Sequence, residues 1–559
     1  MNRRDTLSTL LGKKQSKKNT AKPMSSMVTE LTPYAGSWGF KQAAHLLRRT
    51  TFGPTWGQIQ TSVTNGLQDT ISQLLALNPL SQMPDPPINY YYEEDPDVPV
   101  GETWINVPFS YEHRIHRRKS LEGWTTKLIL EEGTSIREKM TLFWHNHFVI
   151  ANFPSASRYK YQYISTIREY ATGNFRELTK TITIDPMMLS YLNGNLNTKE
   201  APNENYAREL LELFTVGKGP VIAPGDYSFF TEHDVAEIAR ILTGWGVSDN
   251  NTQGNYIQGI FTPSKHDVDD KELSHHFNNE MISDAGENEY SILIDKIFEH
   301  DEVAKFICRK IYRWFVHYEI TSDIEINIIE PLAQVLRDND YEISSILQIL
   351  LTSQHFFDEE RIGCMIKNPW DFSAGLIKQF QVQFPSEPAT YYETYRVILQ
   401  GVAGLQMEYF NPPSVAGWKP YYQAPNFYRI WLNSVTLPIR NFAIQTFVNG
   451  GIPIFQDPAE IIGIATVDYL NILDNLSNPF EVNQVLEDFI QLLFPKDISN
   501  NQKIILKERL TNGLPDFEWT DEYSLYISDP SNTAQANAIR TKINNLVASM
   551  LTMPEYQLM

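Results

Sequence analysis

The sequence contains little cysteine and no long apolar run. Cys308 and Cys364 are the only cysteines among 559 residues, and their separation matches no paired zinc-binding motif. A disulfide framework is therefore excluded. No stretch reaches the roughly 18 consecutive apolar residues that a membrane-spanning helix requires. These absences predict a protein without a transmembrane segment, which is soluble or at most peripheral to a membrane.

Signatures of common catalytic and nucleotide-binding sites are also missing. The chain has no GxxxxGK(S/T), no GxSxG, no HExxH and no GxGxxG that follows a strand. Ser414 lies in "NPPSVAGW", where the preceding prolines indicate a turn and not a nucleophile. The sequence therefore contains no recognised nucleophile, cofactor or metal motif.

Positive charge is scarce outside the first residues. The chain has 67 acidic and 47 basic side chains and a formal net charge of −20. Seven of the basic residues, against one acidic residue, precede Pro23. The remainder is strongly acidic and repels phosphate backbones, so nucleic-acid binding is disfavoured.

The N-terminus supports two interpretations. "MNRRDTL" is similar to a twin-arginine export signal, but the apolar stretch that follows, "LSTLL", is shorter than the roughly 7–15 residues of a signal core. The alternative is a flexible basic tail. We assign residues 1–30 to a basic flexible N-terminal segment and keep both interpretations open.

Helical periodicity dominates the rest of the chain. With 42% hydrophobic residues, the sequence predicts a mainly α fold, a large multi-helix globular assembly. A small β-hairpin insertion is expected near 245–265, where turn residues separate two short aromatic and aliphatic runs. We expect a main helical domain over 31–450 and a C-terminal helical subdomain, 451–559, packed on it.

Two local signals fix helix ends in the central region. Thr231, followed three positions later by Asp234, approximates a capping box and predicts a helix start. Gly217 closes "NENYARELLELFTVG" in the position of a helix C-cap.

The stretch "FWHNHFVI" carries two histidines, His145 and His147. Residues at i and i+2 lie on different faces of a helix, so the two cannot chelate one ion from the same face. The apolar stripe that includes Phe143 directs His147 toward the core. One hypothesis has either histidine completing a site with groups from other helices. The alternative has His147 as a buried, hydrogen-bonded imidazole and His145 near the surface.

Three further segments carry charged side chains in helical or loop spacing. In "NENYARELLELF", the i, i+4 pattern of Glu204 and Arg208, with Glu209 beside them, fits either a metal or substrate site or a surface ladder of ion pairs. In "TEHDVAEIAR", Asp234 fits an acidic residue in the first turn of a helix, a position that the helix dipole favours. The loop "FTPSKHDVDDKELSHH" places His266 beside Asp267, a pairing that serves acid/base chemistry, metal ligation or simple solvation.

Six blocks together resemble the bacterial domain-of-unknown-function family 1800. They are "AAHLLRRTTFGPT", "REKMTLFWHNHFVI", "NENYARELLELFTVG", "TEHDVAEIARILTGW", "FTPSKHD", and "PPSVAGW" with "WLNSVTLPIRNFA". They follow the family's order and span nearly the whole chain after about residue 35. The family has no known function. The resemblance implies an exported or periplasmic protein more than a cytoplasmic one, encoded beside a sulfatase-like protein.

The resemblance also implies which polar positions recur in the family. In this sequence they are His145, His147, Glu204, Arg208, Glu209, Asp234, His266, Asp267 and Lys271. The chain departs from the family after the His-Asp pair, where "VDDKELSHH" replaces a pattern with glycine before the lysine and Leu-Gly after it. That departure puts the geometry of this loop in doubt.

Two functional hypotheses follow. The first, which the missing catalytic motifs favour, is a non-enzymatic helical scaffold that binds a partner such as the sulfatase-like neighbour. The second is a metal-assisted hydrolase with a divalent metal in a central His/Asp/Glu cluster. Its candidate catalytic residues are His145, His147, Glu209, Asp234, His266 and Asp267. Its candidate substrate-binding residues are Arg208 and Lys271.

Overall fold

A computed structural model describes residues 30–76, 84–91, 94–150, 157–248, 257–457 and 460–559. The basic segment predicted at 1–30 therefore lies, except for Glu30, outside the described residues. Within the described ranges the fold is mainly α, as the periodicity predicted, with small two-stranded sheets between helices.

The first half of the chain is built of helices with short connections. In chain order they are α1 (Phe40–Thr50), α2 (Trp56–Leu75), α3 (Arg114–Glu131), α4 (Arg137–His147), α5 (Ser157–Glu169), α6 (Phe175–Thr183), α7 (Pro186–Tyr191), α8 (Glu204–Glu209) and α9 (Glu232–Ile241). A π-helical segment, Leu210–Thr215, continues α8. The capping box at the start of α9 is confirmed, because the Thr231 side chain accepts from the backbone of Asp234 and the Asp234 side chain accepts from the backbone of Thr231.

The second half continues in the same style. Its helices are α10 (Glu289–Phe298), α11 (Asp301–Phe315), α12 (Ser322–Ile324), α13 (Glu330–Asp338), α14 (Ile343–Leu351), α15 (Pro369–Gln379), α16 (Pro388–Gly404), α17 (Thr436–Val448), α18 (Tyr469–Leu473), α19 (Val482–Leu493), α20 (Asn500–Thr511), α21 (Asp516–Ser528) and α22 (Thr533–Leu551). A second π-helical segment, Glu325–Ile329, joins α12 to α13. Among the described residues, none of these helices is long and apolar enough to cross a membrane.

Each of the small sheets is an antiparallel pair of strands. The pairs are β1 (Val221–Ala223) with β2 (Asp226–Tyr227), β3 (Trp245–Val247) with β4 (Gly259–Phe261), β5 (Lys271–Glu272) with β6 (Met281–Ile282), and β7 (Ile452–Asp457) with β8 (Glu460–Ala465). The β3–β4 pair, in which Trp245 lies opposite Phe261, confirms the hairpin predicted near 245–265.

One hydrophobic cluster includes buried side chains from Ala43 to Met559. The C-terminus closes on the middle of the chain, because the Met559 amide donates to the Met365 carbonyl at 2.9 Å. The Lys367 amide donates to the carbonyl of Gln557 at 2.8 Å. The helices beyond residue 450 therefore complete the same core as those before it.

Candidate functional site

His145 lies at the end of α4 and is fully buried, so the alternative expectation that it lies near the surface is wrong. One ring nitrogen, Nε2, contacts the backbone carbonyl of Tyr409, and Nδ1 lies 3.3 Å from the hydroxyl of Tyr163. That hydroxyl donates in turn to the carbonyl of Phe148 at 2.5 Å. Burial lowers the pKa of His145 to about 4. The imidazole is therefore neutral near pH 7, and its contacts link α4 to the segment that follows α16.

The next residue, Asn146, anchors a different segment. Its Oδ1 accepts a hydrogen bond from the Trp418 amide at 2.9 Å. Gly417 makes this approach possible, because its φ is +92° and a Cβ there would lie 2.4 Å from the same oxygen. The glycine of "NPPSVAGW" therefore serves packing against α4.

His147 is buried as the apolar stripe predicted, and it caps the π-helical segment Leu210–Thr215. Its Nε2 lies 3.0 Å from the Phe214 carbonyl, while Lys310 of α11 donates to the Leu213 carbonyl at 2.9 Å. Lys310 also donates to Nδ1 of His147 at 3.0 Å. The last carbonyls of a helix lack partners within the helix, and these two side chains satisfy two of them. Gly217, with φ +76°, ends the segment as predicted.

Burial shifts both members of this pair toward their neutral forms. It lowers the pKa of His147 well below its ordinary value, and the charge of Lys310 adds to the effect. It also lowers the pKa of Lys310 to about 7, with Arg313 contributing repulsion. The pair therefore resists protonation, because a charge added to either side chain would lie inside the core.

Arg208 and Glu209 face different surroundings on α8. Arg208 forms a bidentate ion pair with Glu232, at 2.8 and 2.6 Å, and a longer contact of 3.3 Å with Glu204. The hydrogen bond from Arg208, reinforced by one from Tyr227, lowers the pKa of Glu232 to about 2. Glu209 is partly buried, and its pKa is raised by burial. Arg208 thus joins α8 to α9 by an ion pair on the partly exposed face.

Asp234 is fully buried at the first turn of α9. Its Oδ2 accepts from the amide and the hydroxyl of Thr231, at 2.7 and 2.9 Å. The amide and the hydroxyl of Ser274 donate to its two oxygens, both at 2.7 Å. The carboxylate therefore caps its own helix and fixes the loop after β5.

His266 and Asp267 lie in the loop between β4 and β5, and Lys271 is the first residue of β5. Asp267 turns toward Arg240, which donates to its carboxylate at 2.8 and 3.2 Å. Lys271 and Glu289, both fully buried, form an ion pair in which Nζ lies 2.8 and 3.0 Å from the two carboxylate oxygens. Nε2 of His266 lies 2.8 Å from Oε2 of Glu289. Burial raises the pKa of Glu289, and Lys271 opposes that effect.

The structure brings His266, Asp267 and Lys271 together, and Asp234 lies on the helix whose Arg240 holds Asp267. The side chains of His145, His147, Arg208 and Asp234 have no hydrogen-bond partner in common within the described part of the chain. A catalytic role for any of them stays a prediction.

A cleft of about 630 Å³ contains none of the predicted residues. It lies at the end of α3, lined by Trp124, Glu132, Glu138 and Arg168 among others. Arg168 donates to Glu138 at 2.6 and 2.8 Å, whereas Oε2 of Glu132 is buried without a hydrogen-bond partner among the described residues. Burial, reinforced by the charge of Glu138, raises the pKa of Glu132 to about 8. A carboxyl group that keeps its proton near pH 7 is a candidate acid/base group.

Sequence reasoning missed Glu132, Glu289 and Lys310. Glu289 begins α10 and resembles an ordinary first-turn acid, and Glu132 directly follows Glu131, the last residue of α3. Lys310 follows Arg309 in an amphipathic helix and resembles a surface cation. No local pattern distinguishes these residues, because burial by distant segments gives each its properties.

The model of one protein family, described as "Protein of unknown function (DUF1800)", matches residues 45–558. No curated protein and no solved structure matches the chain.

Proposed function

The chain belongs to the DUF1800 family, and from this premise we propose that it is a non-enzymatic helical scaffold that binds a protein partner in the bacterial envelope. The proposed partner is the sulfatase-like protein encoded beside members of this family. The proposal keeps the division into a main domain, 31–450, and a C-terminal subdomain, 451–559, and places the protein outside the cytoplasm.

The observation that carries the proposal is how the predicted catalytic side chains use their polar atoms. His145 and His147 contact backbone carbonyls of distant segments, and Asp234 accepts hydrogen bonds from its own helix start and from a loop. Asp267 is held by Arg240 in a bidentate ion pair. Side chains that satisfy buried backbone groups stabilise one packing arrangement, which is what a scaffold requires.

The competing hypothesis, a metal-assisted hydrolase, has weaker support at these positions. A histidine ligand needs an imidazole nitrogen free to face the ion, and both nitrogens of His145 and of His147 already have protein partners. Arg208, proposed to hold an anionic substrate group, is paired with Glu232.

A binding experiment tests the scaffold directly. The tagged full-length chain is immobilised on a sensor, and the purified sulfatase-like neighbour is applied at micromolar concentration. Binding is measured by biolayer interferometry. We expect saturable binding, and we expect Asp267→Asn to bind equally well because its carboxylate serves an internal ion pair. Absence of binding by the wild-type chain, or loss of binding in Asp267→Asn while the variant remains folded by circular dichroism, contradicts the proposal.

A further inference from the structure

Three potential ligand atoms meet where the loop after β4 packs against the start of α10. They belong to His266, Asp284 and Glu289, and all lie within 4.8 Å of one another. Nε2 of His266 lies 2.8 Å from Oε2 of Glu289 and 4.0 Å from Oδ1 of Asp284. His266 and Glu289 are buried, whereas the Asp284 side chain is 49% exposed. Two of the three side chains are therefore buried, and the third reaches solvent.

The hydrogen bond at the other ring nitrogen of His266, Nδ1, determines that Nε2 is the nitrogen available to a ligand. Nδ1 lies 2.9 Å from the carbonyl of Thr243, so Nδ1 carries the proton and donates to that oxygen. In the neutral ring, Nε2 then carries a lone pair next to the Glu289 carboxylate. Ligand histidines in metal sites are commonly oriented by this type of hydrogen bond from the opposite nitrogen.

The contact between Nε2 and Glu289 lacks the alignment of a hydrogen bond. Nε2 is fully buried and has no hydrogen-bond partner within the described ranges, although Oε2 is only 2.8 Å away. Two electron-rich atoms at this separation are stabilised by a positive charge close to both, and a proton on Nε2 would not lie along the line to Oε2. Two ligands of one cation lie side by side in this way.

The separations fit a small divalent cation. With bonds of about 2.0–2.2 Å to nitrogen and oxygen, neighbouring ligands of Zn²⁺ lie roughly 3–3.5 Å apart. The observed separations of 2.8 and 4.0 Å bracket that range. One imidazole and two carboxylates suit Zn²⁺ or Mn²⁺. Three protein ligands leave at least one position for water, as in open metal sites.

Lys271 fixes the orientation of the Glu289 carboxylate. It donates to both carboxylate oxygens and to the backbone carbonyl of Asp267. The formal charges of Lys271, Glu289 and Asp284 sum to −1 with neutral His266, so a divalent cation brings the group to +1. The lysine therefore orients the Glu289 carboxylate, while its positive charge lowers the affinity of the group for a cation.

In the part of the chain that the structure describes, two other groups of potential ligand atoms are less suited to a cation. In the first, His276 already bonds to Asp226 at 3.1 Å beside His275. In the second, with Asp97 and His113, Asp95 is held by Arg117 in a bidentate ion pair. Within the described residues, neither group contains a fully buried ring nitrogen without a hydrogen-bond partner, which makes these groups suitable controls.

We propose that His266, Asp284 and Glu289 bind one divalent transition cation of the Zn²⁺ or Mn²⁺ type through Nε2, Oδ1 and Oε2, with the remaining positions open to water. A scaffold function does not require this site, so the inference goes beyond the proposed function. The cation would join the loop after β4 and the segment after β6 to α10.

The test uses the full chain, freed of metal by chelator dialysis and titrated with ZnCl₂ and with MnCl₂. We expect one equivalent of at least one of these metals to bind by calorimetry and by elemental analysis, and to raise the melting temperature. Asp284→Asn, at a partly exposed ligand, should fold and weaken binding at least tenfold. Asp226→Asn and Asp97→Asn should bind as the wild type does.

Three results would overturn the inference. They are the absence of binding of either metal by the wild-type chain, equal binding by Asp284→Asn, and loss of binding in Asp226→Asn or Asp97→Asn instead. Partner binding is measured separately without added metal, so failure of the scaffold proposal and failure of the metal site are distinguishable.

Discussion

Replacing Glu132 by glutamine should change the pH dependence of stability in a defined direction. Burial and the charge of Glu138 raise the pKa of the Glu132 carboxyl from 4.5 to about 8 in the folded protein. Between these values the folded chain holds a proton that the unfolded chain releases, so this carboxyl lowers stability progressively as pH rises from 4.5 through 8. Glutamine resembles the protonated acid and cannot ionise, and its oxygen can still accept from the Glu138 amide, which now donates to Oε1 at 3.0 Å.

The expected magnitude follows from the pKa change. A tenfold change in an equilibrium constant is about 1.4 kcal/mol, so Glu132→Gln should gain about 3–5 kcal/mol over the wild type between pH 4.5 and pH 8.5. With an unfolding entropy of about 2 cal/mol/K per residue, this corresponds to about 3–4 °C in melting temperature for one cooperative transition.

The assay is differential scanning fluorimetry of both proteins at half-unit pH steps and constant ionic strength. Glu112→Gln, which removes an exposed carboxylate, serves as the matched control. Its difference from the wild type should vary little with pH. A Glu132→Gln difference that stays flat from pH 4.5 to 8.5, or that falls with rising pH, refutes the assignment of a protonated carboxyl to this cleft.

Three further single substitutions and one double variant test the buried polar contacts. Burial lowers the pKa of Lys310 from 10.5 to about 7, so this group lowers the stability of the fold as pH falls through that interval. In thermal melts, Lys310→Met should therefore become more stable relative to the wild type from pH 10 to pH 7. A stability difference that does not change with pH would contradict this prediction. Asp371→Asn should lower the free energy of unfolding in urea by about 3–5 kcal/mol, because it leaves the buried Lys139 ammonium unpaired. The double variant Lys139→Met with Asp371→Leu should recover most of that loss. If the losses of the two positions simply add in the double variant, the two side chains do not act as a pair. Asp234→Ala should cost about 2–3 kcal/mol through its lost capping and loop hydrogen bonds, with partner binding unchanged; a loss of binding without a loss of stability would instead favour a functional role.

Local sequence patterns determined the elements of this fold and some of their ends. Apolar residues at helical spacing predicted a mainly α chain, and turn residues between two short apolar runs predicted the β3–β4 hairpin. The capping box of Thr231 and Asp234 and the left-handed Gly217 also followed from neighbouring residues. Such signals succeed because hydrogen bonds within a helix, a cap or a hairpin connect residues a few positions apart.

Only the tertiary structure decided what the polar side chains do. His145 contacts a carbonyl 264 positions away, and His147 shares its π-segment with a lysine 163 positions away. The His266 group depends on Glu289, which no spacing in the loop indicated. Burial and charge at these positions come from segments that meet only after folding, and electrostatic interactions depend on distance in space and local desolvation, which no local pattern specifies.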